Sequence, residues 1–307
     1  MHSSCVHPAS DDLAREYDIH EVKIQFLSLF NQRLVPRSPA KSWRGDWLFR
    51  RERLAIVDKE LGDIKPDLLV LQELMERAEN PFESDMEILS AGALRGYKWS
   101  LVPIESYPDT GEVESLALAL TLPLALKTND SGNIFRVGSS VFSFERLQLE
   151  GQNISVINLK IDDRMTGDEF ERLIALIDMR LNDPNVCRQR VLVAAYAPPS
   201  VQEKLNEFAS RLGLQDAAKG FCNIASKCYT VNPQNEIFYI ARGEFLPSRS
   251  DFLFVPKATK VSISGSNLTE GQHPETTYYK KFGLSSLWAS ERSGWFTSLR
   301  FARCEKT

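Results

Sequence analysis

Glu73 has the clearest claim to chemistry in this chain. It follows Leu68-Leu69-Val70-Leu71-Gln72, a run apolar enough to be a buried strand. A carboxylate at the end of such a strand is costly unless it is solvated, paired with a cation or bound to a metal. A second strand end raises the opposite question. Val191-Leu192-Val193-Ala194-Ala195-Tyr196-Ala197-Pro198-Pro199 begins as a buried strand and stops at two prolines that cannot donate ladder hydrogen bonds. Strand ends of this kind are where α/β proteins place reactive groups, yet no acid, amide, histidine or thiol stands there. The four histidines are His2, His7, His20 and His273. Three precede the first expected strand and the fourth lies in a polar loop.

The five cysteines, Cys5, Cys187, Cys222, Cys228 and Cys304, have no metal-ligand spacing. Free thiols in a reducing compartment are the simpler expectation, with a Cys222–Cys228 bridge as the alternative for an exported protein. The N-terminal stretch lacks the apolar core of a signal peptide, so a cytoplasmic location is expected, although a leader removed beforehand stays open. No run is long and apolar enough to span a bilayer. The formal net charge is −4, which disfavours nonspecific nucleic-acid binding. One basic stretch, Arg33 to Arg53, reads as a solvated face or as a surface for phosphate or lipid.

The elements that must position these residues follow from hydrophobic periodicity. Of 307 residues, 43% are hydrophobic and 25% charged, a globular composition. Strands are expected over residues 22–30, 68–72, 97–102, 115–120, 137–147, 154–159 and 191–196. Helices are expected over 46–61, 84–94, 166–181 and 200–212, the third capped near Thr166. The C-terminal third reads mainly as strand, at 228–231, 236–240, 251–255, 260–264 and 295–301. Short strands with intervening helices predict a four-layer α/β sandwich, with two facing, mainly antiparallel sheets flanked by helices. The helices at 46–61 and 166–181 belong on opposite outer faces. A short N-terminal extension, 1–21, precedes one domain at 22–304.

Several local motifs then fall in order: Phe30-Asn31, Pro66-Asp67-Leu68-Leu69-Val70-Leu71-Gln72-Glu73, Val156-Ile157-Asn158-Leu159-Lys160, the VLVAAYA strand, Arg249-Ser250-Asp251-Phe252, and Ser290-Glu291-Arg292-Ser293-Gly294. Together they resemble the endonuclease/exonuclease/phosphatase superfamily, with the DNase I-like fold. The segment Cys228-Tyr229-Thr230-Val231-Asn232-Pro233-Gln234-Asn235 looks most like its neutral sphingomyelinase branch. The resemblance implies Mg²⁺-dependent phosphoester hydrolysis, with water activated by a histidine-aspartate pair. It makes Asn31 and Glu73 the metal positions. Asp251 matches the aspartate that orients the catalytic histidine, and Glu291 stands at the terminal aspartate.

Other positions depart from that pattern. Lys160 and Arg292 replace the two histidines, and Ala195 and Ala197 replace an aspartate and an asparagine. Arginine cannot accept a proton, and alanine cannot orient water. Losing one transition-state donor costs about 10²–10³ in rate. The expectation is therefore a catalytically inactive member of the superfamily, binding a phosphate-containing ligand or a protein partner, with weak Mg²⁺ binding or none. Lys160 and Arg292 are the candidate anion-binding pair. Asp251 is expected to pair with Arg292, and Lys160 to lie close to Glu73 or Glu291. One alternative is an active phosphodiesterase or phosphatase with displaced carboxylates from Asp162-Asp163, Asp109 or Glu112. Another is a purely structural partner-binding module.

Overall fold

The computed structural model describes residues 20–29, 50–77, 84–108, 111–127, 133–162, 164–219, 249–265 and 295–304. Thirteen strands are described, and apart from β6 they lie in order along two sheets. The first sheet contains β1 (Val22–Ser28), β2 (Leu68–Arg77), β3 (Lys98–Tyr107), β4 (Glu112–Leu120), β12 (Lys260–Gly265) and β13 (Trp295–Arg300). Its order is β12-β13-β1-β2-β4-β3. The second contains β5 (Ala125–Leu126), β7 (Ser140–Leu149), β8 (Gln152–Lys160), β9 (Val191–Tyr196), β10 (Leu214–Asp216) and β11 (Asp251–Pro256), in the order β10-β11-β9-β8-β7-β5. The short β6 (Asn133–Val137) adds to β7. Each sheet has one parallel pair, β1 with β2 and β8 with β9; the other pairings are antiparallel.

Side-chain alternation divides the apolar residues into layers. Ile24, Phe26, Val70, Leu118, Val156, Leu192, Ala194 and Leu253 fill the space between the sheets. Leu27, Leu69, Leu71 and Ala117 point the other way, beneath α1 (Arg50–Ile64) and α2 (Asp85–Ala91). Ile157, Leu159, Val193 and Phe252 do the same on the second sheet, beneath α3 (Gly167–Leu181) and α4 (Gln202–Arg211). This is the four-layer sandwich expected from the sequence, with α1 and α3 on opposite outer faces.

The start of α3 shows how local sequence sets an element. Thr166 caps it: its hydroxyl accepts from the Glu169 amide at 3.3 Å, and the Thr166 amide donates to the Glu169 carboxylate at 2.9 Å. Phe170, Leu173, Ile174, Ile177 and Leu181 then recur at helical spacing and are buried. No described helix is long and apolar enough to cross a membrane.

The cysteine expectation is corrected. Cys187 and Cys304 form a disulfide across 117 residues, with Cα atoms 6.2 Å apart. It ties the turn before β9 to the chain just after β13, and so one sheet to the other. The alternative bridge, Cys222–Cys228, lies outside the described residues. Breaking the bridge by Cys187→Ser or by dithiothreitol is expected to lower stability by about 2–4 kcal/mol. An unchanged urea midpoint would show that the bridge is not formed in solution.

Candidate functional site

Four strand ends meet at one edge of the sandwich. On the second sheet, Lys160 of β8 pairs in register with Tyr196 of β9, and Tyr196 with Asp251 of β11. Strand alternation puts all three side chains on the inner face. Adjacent strands lie about 4.8 Å apart, so Asp251 stands roughly 10 Å from Lys160 along this row. Asp251 is buried, and its carbonyl accepts from the Trp295 indole at 2.7 Å. That bond joins β11 to β13 in the facing sheet.

The first sheet supplies acids opposite this row. Between Leu71 and Leu74, β2 carries one residue more than β4 opposite, a β-bulge. The bulge sends Gln72 and Glu73 both inward, where a regular strand would alternate them. It also sets Glu73 at φ 60°. That left-handed conformation costs a non-glycine residue about 1–2 kcal/mol. Such strain is found where the surrounding structure over-determines a position. Glu73 is 1% exposed.

Lys160 bridges two glutamates across the gap between the sheets. Its ammonium lies 3.1 Å from Glu73 Oε1 and 2.6 Å from Glu114 Oε1, and both acids are almost fully buried. The Ser28 hydroxyl donates to Glu73 Oε2 at 2.8 Å. Tyr107 places its hydroxyl 3.0 Å from both Glu114 Oε2 and Glu105 Oε2, and its single proton can serve either. Burial alone would lower the Lys160 pKa, but Glu73 and then Glu114 outweigh it and hold the value above that of an ordinary lysine. Lys160 therefore stays protonated at physiological pH and cannot act as a base.

Beneath this cluster, two amides lock the sheets together. Gln72 Nε2 donates to Asn158 Oδ1 and to the Leu159 carbonyl, both at 2.9 Å. Asn158 Nδ2 donates back to the Leu71 carbonyl at 2.8 Å. The bond network fixes the separation of β2 and β8 one layer below Lys160.

The structure thus brings Glu73 to Lys160, as the sequence led us to expect, and places Asp251 on the same row. Asn31, Glu291 and Arg292 lie outside the described residues, and with them the expected Asp251–Arg292 pair. Ala195 and Ala197 are not in the cluster. The pleat of β9 turns both into the outer layer with Val201, Leu205 and Phe208, where each is fully buried. Tyr196 is the β9 residue that faces the site. The anion-binding role expected of Lys160 is disfavoured, because two carboxylates already more than balance its charge.

Glu114, Ser28, Gln72 and Asn158 went unread in the sequence. Glu114 carried a signal: it shares the inward register with Leu116, Leu118 and Leu120, so an acid stands on an apolar face. Among the displaced carboxylates of the enzyme alternative, Glu112 is paired with Arg77 at 3.2 Å and Asp162 with Arg164 at 3.1 Å. Asp109 and Asp163 lie outside the described residues. A magnesium ion needs nearly octahedral oxygen ligands, usually one or two carboxylates with waters and phosphate. Glu73 and Glu114 could offer the carboxylates, but the Lys160 ammonium already lies between them. A divalent ion beside it would meet like charge. Among the described residues, no three His, Cys, Asp or Glu side chains gather as a metal site.

Glu145, two rows deeper in β7, is another titratable group of this inner face. It is 1% exposed, and neither carboxylate oxygen has a partner at good hydrogen-bond geometry, Ser100 being the hydroxyl nearby. Burial pushes its pKa up to about 7, and the nearby Ser100 hydroxyl draws it down only in part. The neutral form is favoured in the folded state. Its contribution to stability is complete below the unfolded value of 4.5 and is lost as pH rises through about 7. Glu60, on α1, is shifted the same way, to about 7, by partial burial and by Asp63. The melting temperature should therefore fall between pH 5 and 8, and Glu145→Gln should flatten the part of that slope that Glu145 carries. An identical pH profile in the variant would show that Glu145 is solvated.

No protein-family model and no curated protein matches the sequence. Solved structures do match its fold. A mannosyl-6-phosphatase from Bacteroides thetaiotaomicron superposes with a TM-score of 0.61 at 15% identity, covering 91% of this chain and 99% of that one. The human nocturnin catalytic domain, solved with a bound sulfate, gives 0.58 at 16% identity over 92% and 93%. A humanized D. rerio TDP2 gives 0.58 at 12% identity over 91% and 98%. The chain therefore has the DNase I-like sandwich of the endonuclease/exonuclease/phosphatase proteins, over nearly its whole length. These neighbours do not single out the sphingomyelinase branch, and the segment that suggested it, residues 228–235, lies outside the described residues.

Proposed function

We propose that this chain is a catalytically inactive form of the phosphoester-hydrolase sandwich, working by binding. The observation that carries this reading is Lys160 held between Glu73 and Glu114 at 3.1 and 2.6 Å. Where the resemblance places a catalytic histidine, a permanently charged ammonium stands. Where it places a metal, the glutamate is already engaged. Hydrolysis of a phosphoester needs a group that can take a proton from water, and that group must titrate near the working pH. Lys160 does not, and arginine at position 292 would not.

A phosphate-containing ligand or a protein partner remains the expected cargo. With Lys160 neutralised, Arg292 is the cation left to carry an anion from the original pair. That the same fold holds a sulfate in human nocturnin supports an anionic ligand. The expected reducing compartment rested on free thiols, and the Cys187–Cys304 bridge removes that support. A persistent disulfide fits an oxidising compartment.

Hydrolysis assays test the reading directly. Purified protein is expected to release no p-nitrophenol above background from p-nitrophenyl phosphate or bis(p-nitrophenyl) phosphate, with Mg²⁺ or Mn²⁺ present. Metal-dependent turnover that disappears in folded Glu73→Gln protein would instead establish the enzyme.

A further inference from the structure

We infer that residues 301–304, just after β13, form a redox-locked strap: the Cys187–Cys304 bridge holds this segment across the base of the sandwich, and reduction by a dithiol frees it while the two sheets stay folded. The inference does not draw on the proposed function. It concerns the end of the molecule opposite Lys160.

The strap crosses from one sheet to the other. In β13, Leu299 pairs with Val22 of β1, so the chain leaves the first sheet near the start of β1. Phe301 then enters the layer between the sheets, where it is 1% exposed and shares the core with Leu149 and Ile154 of the second sheet. It closes that apolar layer at this end. Ala302 makes a single β-bridge, and Cys304 reaches the turn before β9.

The strap rests on the hairpin turn between β7 and β8. The Cys304 amide donates to Gln152 Oε1 at 3.2 Å, and the same oxygen accepts from the Arg190 guanidinium. The Arg303 guanidinium lies 3.9 Å from Glu150 Oε2, with both side chains partly exposed. An ion pair this long and this exposed contributes little. One amide bond to a side chain is a modest anchor. The bridge is the covalent tie among these contacts, so it decides whether the strap stays down. The sheets themselves are held elsewhere as well. The rest of the between-sheet core, the Gln72–Asn158 bonds and the Trp295–Asp251 bond do not involve the strap.

The bridge is also placed for exchange. Cys187 and Cys304 are both half-buried rather than sealed in the core. Arg188 and Arg303 adjoin them in the chain, and neighbouring cations favour a departing thiolate. A thiolate of the reductant attacks one sulfur. The S–S bond breaks, a mixed disulfide forms, and the other cysteine leaves as a thiolate. The second thiol of the reductant then displaces the first cysteine. The bridge gains two electrons and two protons, and the dithiol becomes a disulfide.

The test is hydrogen–deuterium exchange on the folded protein, oxidised and after dithiothreitol without denaturant, with binding of the dye ANS as a second readout. Reduction is expected to abolish protection of the Cys304 amide and to raise ANS fluorescence severalfold as Phe301 is uncovered. Amides in the middle of β8 and β9, such as Ile157 and Val193, should keep their protection. Reoxidation with oxidised glutathione should restore the starting state. Cys187→Ser should match the reduced protein without any reductant; if that variant does not fold, the reduced wild type decides alone. The inference is overturned if the bridge resists dithiothreitol until denaturant is added, or if reduction leaves Cys304 protection or ANS binding unchanged. It is equally overturned if protection is lost across β8 and β9 as well, or if reoxidation fails to restore it. Metal-dependent hydrolysis by the wild type would sink the proposed function and leave this inference standing.

Discussion

Two buried carboxylates facing one half-buried ammonium set the terms for this edge of the molecule. Charges removed from water cost several kcal/mol each, and mutual attraction offsets this only when geometry is good and other hydrogen bonds complete it. Lys160, Glu73 and Glu114 meet both conditions, with contacts of 3.1 and 2.6 Å and with Ser28 and Tyr107 behind the acids. The cluster adds little net stability compared with an apolar filling of the same space. Removing Lys160 is another matter, because it leaves two buried carboxylates without their cation, at about 3–5 kcal/mol. Its effect is to fix one arrangement of the sheets rather than to deepen the fold.

That arrangement is imposed from both sides. The acids and Lys160 come from opposite sheets, so they meet only if the sheets hold the right separation and register. The Gln72–Asn158 amides set the separation one layer below. Farther along the edge, the Trp295 indole bound to the Asp251 carbonyl does the same between β13 and β11. Buried amides and indoles without such bonds would be costly, so each is both a constraint and a consequence of sheet packing. The parallel pairs β1–β2 and β8–β9 lie inside their sheets, with strands on either side. Glu73 and Lys160 both project from these protected strands.

Periodicity made the architecture legible. Inward and outward residues of β1, β4 and β8 alternate cleanly, and the capping box at Thr166 marks the start of α3 at the expected place. The site was legible where one residue had a strong claim of its own, as Glu73 did after an apolar strand. It was harder to read where a motif had to be mapped onto a pleat. Ala195 and Ala197 looked like vacated catalytic positions, but alternation along β9 turns them under α4 and leaves Tyr196 facing the site. The bulge at Glu73 shows the same limitation from the other direction, because one extra residue places Gln72 and Glu73 on one face, and no simple period reveals it. The Cys187–Cys304 bridge spans 117 residues. Spacing alone has no means of pairing cysteines that distant, since the fold is what brings them together.

A single side chain bears on both proton transfer and cation binding at this edge. A histidine at position 160 would titrate near neutrality and could exchange protons with water. A lysine held by two carboxylates cannot, because each acid stabilises its charged form. The same ammonium lies between those acids, so a further cation there would meet like charge. Proton transfer and metal binding are thus opposed by one electrostatic arrangement. The acids themselves need not change for this to happen. The lysine in turn relies on both acids as charge and hydrogen-bond partners.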